Sequence, residues 1–290
     1  PDAIEKWKVE RGYDRPLFWN APRPGLAALT DTIFFQKSVR LFTFDFGRSD
    51  EGREISRDIA ERMGPSLAIA VPALLVGLLV NVTLAMTLAF FRGTYLDAWG
   101  VVFAVVLMSV SSLFYIIGGQ YLVGKLLRLV PISGYEGGLD AVKFIVLPVL
   151  VSLAAGGGSG TRWYRTLFLE ELGRDYVRTA RAKGLAERAV LFKHVLRNAL
   201  IPILTGVVVV LPLLFLGSLI TEAFFGIPGL GSYTIDAIHQ QDFAVVRAMV
   251  FLGSVLYILG LLLTDISYTL VDPRVRLEGF RRSSPGRVPW

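Results

Sequence analysis

Five apolar runs constrain this chain more than any other feature. They lie at 65–91, 99–123, 141 to about 160, 199–221 and 244–270. A helix needs roughly 20 apolar residues to cross the hydrocarbon core of a bilayer. The rival reading, buried helices of a large soluble core, fits poorly with five such runs in 290 residues. Composition agrees, with 53% of residues hydrophobic and a mean hydropathy of +0.55. The third run is the weakest, because it ends in "GGGSG" at 156–160, where small residues suit close helix packing or a flexible break. The expectation is an all-α integral membrane protein with five visible spans.

Lys and Arg in the short loops orient such a chain. Segment 161–198 holds nine, namely Arg162, Arg165, Arg174, Arg178, Arg181, Lys183, Arg188, Lys193 and Arg197. Loop 222–243 holds none, and carries Glu222, Asp236 and Asp242. Segment 161–198 and the tail 271–290 are therefore expected in the cytoplasm, with 222–243 outside. Counting back puts 92–98 inside and 124–140 outside, although Lys125 and Arg128 oppose that placement. Residues 1–64 then lie outside. They are polar and contain no spanning run, so a further helix is expected before residue 1, giving six spans with both ends inside. The expected division is 1–64 outside, 65–270 in the membrane with its loop at 161–198, and 271–290 as tail.

The absence of cysteine excludes disulfides and thiolate chemistry. His194 and His239 sit in separate segments, which argues against a His-rich metal site. Gly119, Gly124 and Lys125 have phosphate-loop spacing. Leu126, however, stands where a Ser or Thr should meet magnesium, and the stretch ends a span instead of following a strand. Intramembrane carboxylates are functional candidates by default, but Asp265 falls near the inner surface, where pairing with a basic group is an equal reading. Asn81, in the middle of the first span, suits an interhelical hydrogen bond.

The stretch "RTARAKGLAERAVLFKHVLRNALIP", 178–202, is basic yet leads into an apolar run. Residues 175–183 permit a helix and Gly184 is a plausible stop. A second helical run covers 186–197. Small Ala180, Ala182 and Gly184 would let a partner approach closely. A solvated, lipid-touching loop would also be basic.

"DYVRTARAKGL" followed by "HVLRNALIP" closely resembles the cytoplasmic loop of permease subunits of binding-protein-dependent ABC importers, in the oligopeptide/dipeptide/nickel family. "RGYDRPLFW", "FDFGRS", "ISGY", "TEAFFGIPGLGSYTIDAIHQQDFAVV" and "DISYTLVDPRVRLEG" extend the likeness over nearly the whole chain, and the microcin C/oligopeptide branch is the suspected subgroup. The family loop carries the E-A-A-x-x-x-G motif. Aligned on Gly184, its leading positions here are Arg178, Thr179 and Ala180, so Arg178 stands where the motif has Glu.

The resemblance implies a type I ABC importer permease fold. It also implies a coupling helix that fits an ATPase cleft, carried over to Tyr176, Arg178, Thr179, Ala180, Arg181, Ala182, Lys183, Gly184 and Leu185. The outside loop, with Pro228, Gly229, Gly231 and Asp236, would face a periplasmic or lipid-anchored solute-binding protein. Met108, Phe114, Leu216, Ser218 and Glu222 are candidate pathway residues. The implied partners are a second permease, two ATPase subunits or domains, the binding protein, the inner-membrane bilayer and a peptide cargo, with no nucleic acid. ATP and magnesium would sit on the ATPases, and this chain would hold no cofactor and perform no catalysis. A gradient-driven carrier, a membrane hydrolase, a non-transporting scaffold, and a related permease for nickel chelates or opines are the rival readings.

Overall fold

The computed structural model describes residues 5, 6, 8, 9 and 12–271. The expected tail beyond 271, the end of the "DISYTLVDPRVRLEG" stretch and Arg11 lie outside them. Among the described residues every extended element is a helix and there is no strand. Four helices are long and apolar enough to cross a membrane, and one bent pair makes up to five.

Helix α1, Ile55–Phe90, has 36 residues and is about 54 Å long. It starts well before residue 65, because its first turns carry Ile55 and Ile59 into a buried cluster with Leu41, Phe46, Leu230, Tyr233 and Val245. Pro65 and Pro72 lie inside it. The second expected span is not one straight helix. Helix α2, Tyr95–Ser109, meets α3, Ser112–Gly119, at 88°, and α3 continues as a π-helical turn over Gln120–Leu126. Val110 and Ser111 are extended at the bend. The bend leaves backbone carbonyls without helical partners, and the Tyr115 hydroxyl donates to one of them, Leu107 O, at 2.9 Å. The phosphate-loop spacing at 119–126 is thus wound into helix, with Lys125 Nζ over the Tyr121 ring.

Helix α4, Ala141–Leu172, runs straight through "GGGSG" and past residue 160. Helix α5 is Asp175–Ala182. Helix α6, Glu187–Leu216, joins the second half of the basic stretch to the fourth span. It ends before residue 221, because Gly217 turns the chain at φ +70°. Short helices α7, Leu219–Phe225, and α8, Leu230–His239, precede α9, Phe243–Val271.

Helix α4 is the spine. Its Thr161 hydroxyl donates to Asn81 Oδ1 of α1 at 3.1 Å, so Asn81 does bond between helices. The glycines explain the close approach. A Cβ on Gly160 would sit 2.6 Å from Asn81 Nδ2, and one on Gly158 would strike Ala104 O and Met108 of α2. Beyond this seam, Arg165 of α4 grips Asp97 of α2 through two hydrogen bonds, Nε to Oδ1 at 2.8 Å and Nη2 to Oδ2 at 2.7 Å. "GGGSG" is therefore packing, not a break.

Gly158→Leu should overpack the α2–α4 contact and destabilise the protein by about 1–3 kcal/mol. Gly156→Ala should be neutral, since a Cβ there meets open space. Survival of the purified protein through heating, read by size exclusion, checks both.

Candidate functional site

The basic stretch folds as an amphipathic element beneath the spans. In α5, Val177 and Ala180 are buried, and they pack with Phe168 and Leu172 of α4, Val190, Leu191 and Val195 of α6, and Ala85 and Ala89 of α1. The helix closes with Gly184 N donating to Arg181 O (2.9 Å) and Leu185 N to Ala180 O (3.3 Å). Gly184 has φ +73°, which is the Schellman arrangement that favours glycine. Arg178, Thr179, Arg181, Ala182, Lys183, Gly184 and Leu185 are exposed. Ala180 faces the chain's own core, so the expected room for a partner comes from Thr179, Ala182 and Gly184 instead. Spacing shows why: position 180 repeats the buried face of Val177 three residues on.

Two of the charges on the exposed face have local partners. Arg181 binds both carboxylate oxygens of Glu187, at 2.7 and 3.0 Å. Arg178 reaches Asp175 at only 3.4 Å, and the two side chains are 76% and 95% exposed. Such exposed pairs contribute little, so Arg178 is available to other groups. Tyr176 donates to Glu171 Oε2 at 2.6 Å. Burial, and then that hydrogen bond, push its phenol up to about 12. It therefore stays protonated at physiological pH.

At the far end of the spans, Glu222 organises the loop after α6. The residue is 1% exposed. Its carboxylate accepts from Ser218 N (3.0 Å), Gly231 N (2.7 Å) and Ser232 N (3.2 Å), and the Ser66 hydroxyl of α1 also bonds to it. Ser66 in turn accepts from Leu230 N at 2.8 Å. Gly217 and Gly229 lie so close that a Cβ on either would strike the carboxylate, and one on Gly231 would lie 2.6 Å from Ser218 C. Gly229 and Gly231 are therefore buried packing residues. Pro228 and Asp236 of the same loop are exposed. The loop 132–135 joins here too, with Gly134 N donating to Phe225 O at 2.8 Å.

A cleft opens beside this cage, lined by Ser66, Ile69, Ala73, Ser152, Val210, Leu213, Ser218, Thr221 and Glu222 among others. Ser218 and Glu222 thus reach one cleft, although Glu222 spends its acceptors on the cage. Leu216 instead packs with the cluster around Ile55 and Leu230. Met108 and Phe114 are exposed on either side of the α2–α3 bend and do not line the cleft. The α1 residues that do, Ser66, Ile69, Ala70, Ala73 and Leu74, recur at helical spacing and are mostly small or hydroxylated. That stripe was visible in the sequence. Asp265 is exposed on α9.

Glu222→Gln would turn an amide N–H toward backbone N–H groups and leave donors unsatisfied, at a cost of about 1–3 kcal/mol. Hydrogen exchange at the Gly231 and Ser232 amides should speed up severalfold, measured by mass spectrometry on the purified protein.

Residues 81–277 match the family described as the binding-protein-dependent transport system inner membrane component. A putative peptide transport system permease protein of Brucella abortus is 33% identical over 284 residues, covering 96% of this chain and 86% of the relative. A dipeptide transport system permease protein of Lactococcus lactis is 33% identical over 281 residues with the same coverage. A dipeptide transport system permease protein of Bacillus subtilis is 32% identical over 250 residues, 85% of this chain and 79% of the relative. The helical spans, the basic element docked beneath them and these matches agree: the chain belongs to the family of binding-protein-dependent transport system inner membrane components, the permeases of ABC importers.

Proposed function

We propose that this chain is one of two membrane-spanning subunits of an ATP-driven importer, that its cargo is peptidic, and that α5 with Lys183–Leu185 is the element gripped by an ATPase subunit. The observation that carries the coupling role is the buried rib of Val177 and Ala180. A solvated basic loop has no need of such a rib. A lever needs one, because force on an exposed tip must reach the spans without being lost in side-chain motion. The tip itself is small and polar at Thr179, Ala182 and Gly184, which permits close backbone approach. Cargo class rests on the relatives, whose names specify peptide and dipeptide transport.

The cleft beside Glu222 suits a share of the pathway, completed by a second permease. Its walls are apolar with hydroxyls from Ser66, Ser152, Ser218 and Thr221, a surface that tolerates varied side chains. The loop bearing Pro228 and Asp236 is the face offered to a solute-binding protein, with the basic segment in the cytoplasm of a bacterial cell.

These 290 residues contain no cysteine, so a cysteine introduced among them stands alone in this sequence. In the assembled complex, Ala182→Cys should cross-link to an ATPase subunit in an ATP-dependent way. Free labelling by a soluble reagent, with no adduct, would overturn the coupling role. Asp236→Cys should react with an impermeant maleimide added outside whole spheroplasts, whereas protection there would reverse the orientation.

A further inference from the structure

A second pocket lies away from the cleft, between the segment 36–48 and the start of α9. Lys37, Arg40, Arg48 and Arg247 line it, with Asp45 as the one carboxylate. Asp45 approaches Arg40 only at 3.9 Å, with both side chains more than half exposed. Arg247 is different. Its Nε is buried and has no hydrogen-bond partner among the described residues. An unsatisfied buried donor on a charged group is costly, and an acceptor entering the pocket that Arg247 lines would offset that cost. None of the contacts at Glu222 or α5 uses these residues.

Depth identifies the acceptor. Helix α9 has 29 residues and is about 43 Å long, against roughly 30 Å of hydrocarbon. The helix is therefore long enough for its first turns to stand among headgroups, and the charged Arg247 on the second turn favours that end for the excess. One turn deeper, Phe251 meets Phe42 edge-on at 5.2 Å between ring centroids. Phe42 is 74% exposed and Phe44 54%. Cations at headgroup level above an uncovered aromatic shelf match the two ends of a phospholipid.

We propose that this pocket binds the phosphate of an anionic phospholipid, with Arg247 and Lys37 as its inner donors, Arg40 and Arg48 at its rim, and the first acyl segment along Phe42 and Phe251. The lipid pins segment 36–48 to α9. The proposal rests on α9 being a membrane span and not on which way the chain faces, so it stands or falls apart from the coupling role.

The test uses the purified permease complex in detergent, with native mass spectrometry reading lipid retained from added phosphatidylglycerol or phosphatidylcholine. The wild type should retain phosphatidylglycerol preferentially. Arg247→Gln should lower that retention roughly fivefold, the scale of one basic group at a membrane surface. Because Arg247 is partly buried, Lys37→Gln with Arg40→Gln serves as a second variant, and it should lower retention with unchanged size-exclusion behaviour. Competition by millimolar inorganic phosphate alone, with no lipid preference, would make the ligand a free phosphate and overturn the lipid assignment. Equal retention in all three proteins would also overturn it. So would loss of a partner subunit from the variants without loss of lipid.

Discussion

The seam between α1 and α4 carries the architecture. Lipid offers no hydrophobic drive between helices, so spans associate through close packing and interhelical hydrogen bonds. Here both act within one turn of α4. Gly158 and Gly160 remove the side chains that would hold α2 and α1 away, and Thr161 uses that proximity to reach Asn81. One turn further, Arg165 clamps Asp97. Two helices, α1 and α2, are thus fixed to one spine before any apolar contact is counted.

The spine then leaves the membrane. Its last turns present Phe168 and Leu172, against which Val177 and Ala180 of α5 close. Helix α6 returns from the same cluster through Val190 and Val195 and continues unbroken to Leu216. The basic element is therefore wedged between the ends of two spans. At the other end of α6, Gly217 turns the chain and Glu222 ties the following loop to Ser66 on α1. Displacement of α5 has a continuous packed route to that cage.

Much of this was legible in sequence. Apolar runs place spans because backbone in lipid must pair within the segment. Gly184 marked the end of α5, and the family likeness of the basic stretch agrees with the matched family. The bend between α2 and α3 was not legible, because Val110 and Ser111 are unremarkable and the compensating bond from Tyr115 is tertiary. Helix α1 was cut short at Pro65, since hydropathy does not see amphipathic turns that bury Ile55 and Ile59 outside the apolar run. Of the pathway candidates, Ser218 and Glu222 reach the cleft. Met108, Phe114 and Leu216 were chosen by position along spans, whereas facing is set by helix rotation, which only the packing reveals. Arg247 gave no signal in isolation. Its meaning comes from Lys37, Arg40 and Arg48, some 200 residues away in the chain.

The central claim is mechanical: the Val177–Ala180 rib makes the exposed basic tip and the spans one body. The most direct measurement is the number of peptides imported per ATP hydrolysed by the reconstituted complex carrying Val177→Ala, which loosens the rib and leaves the exposed tip unchanged. The account predicts that hydrolysis persists while imported peptide per ATP falls severalfold. An unchanged ratio, in a variant that assembles normally, would contradict it.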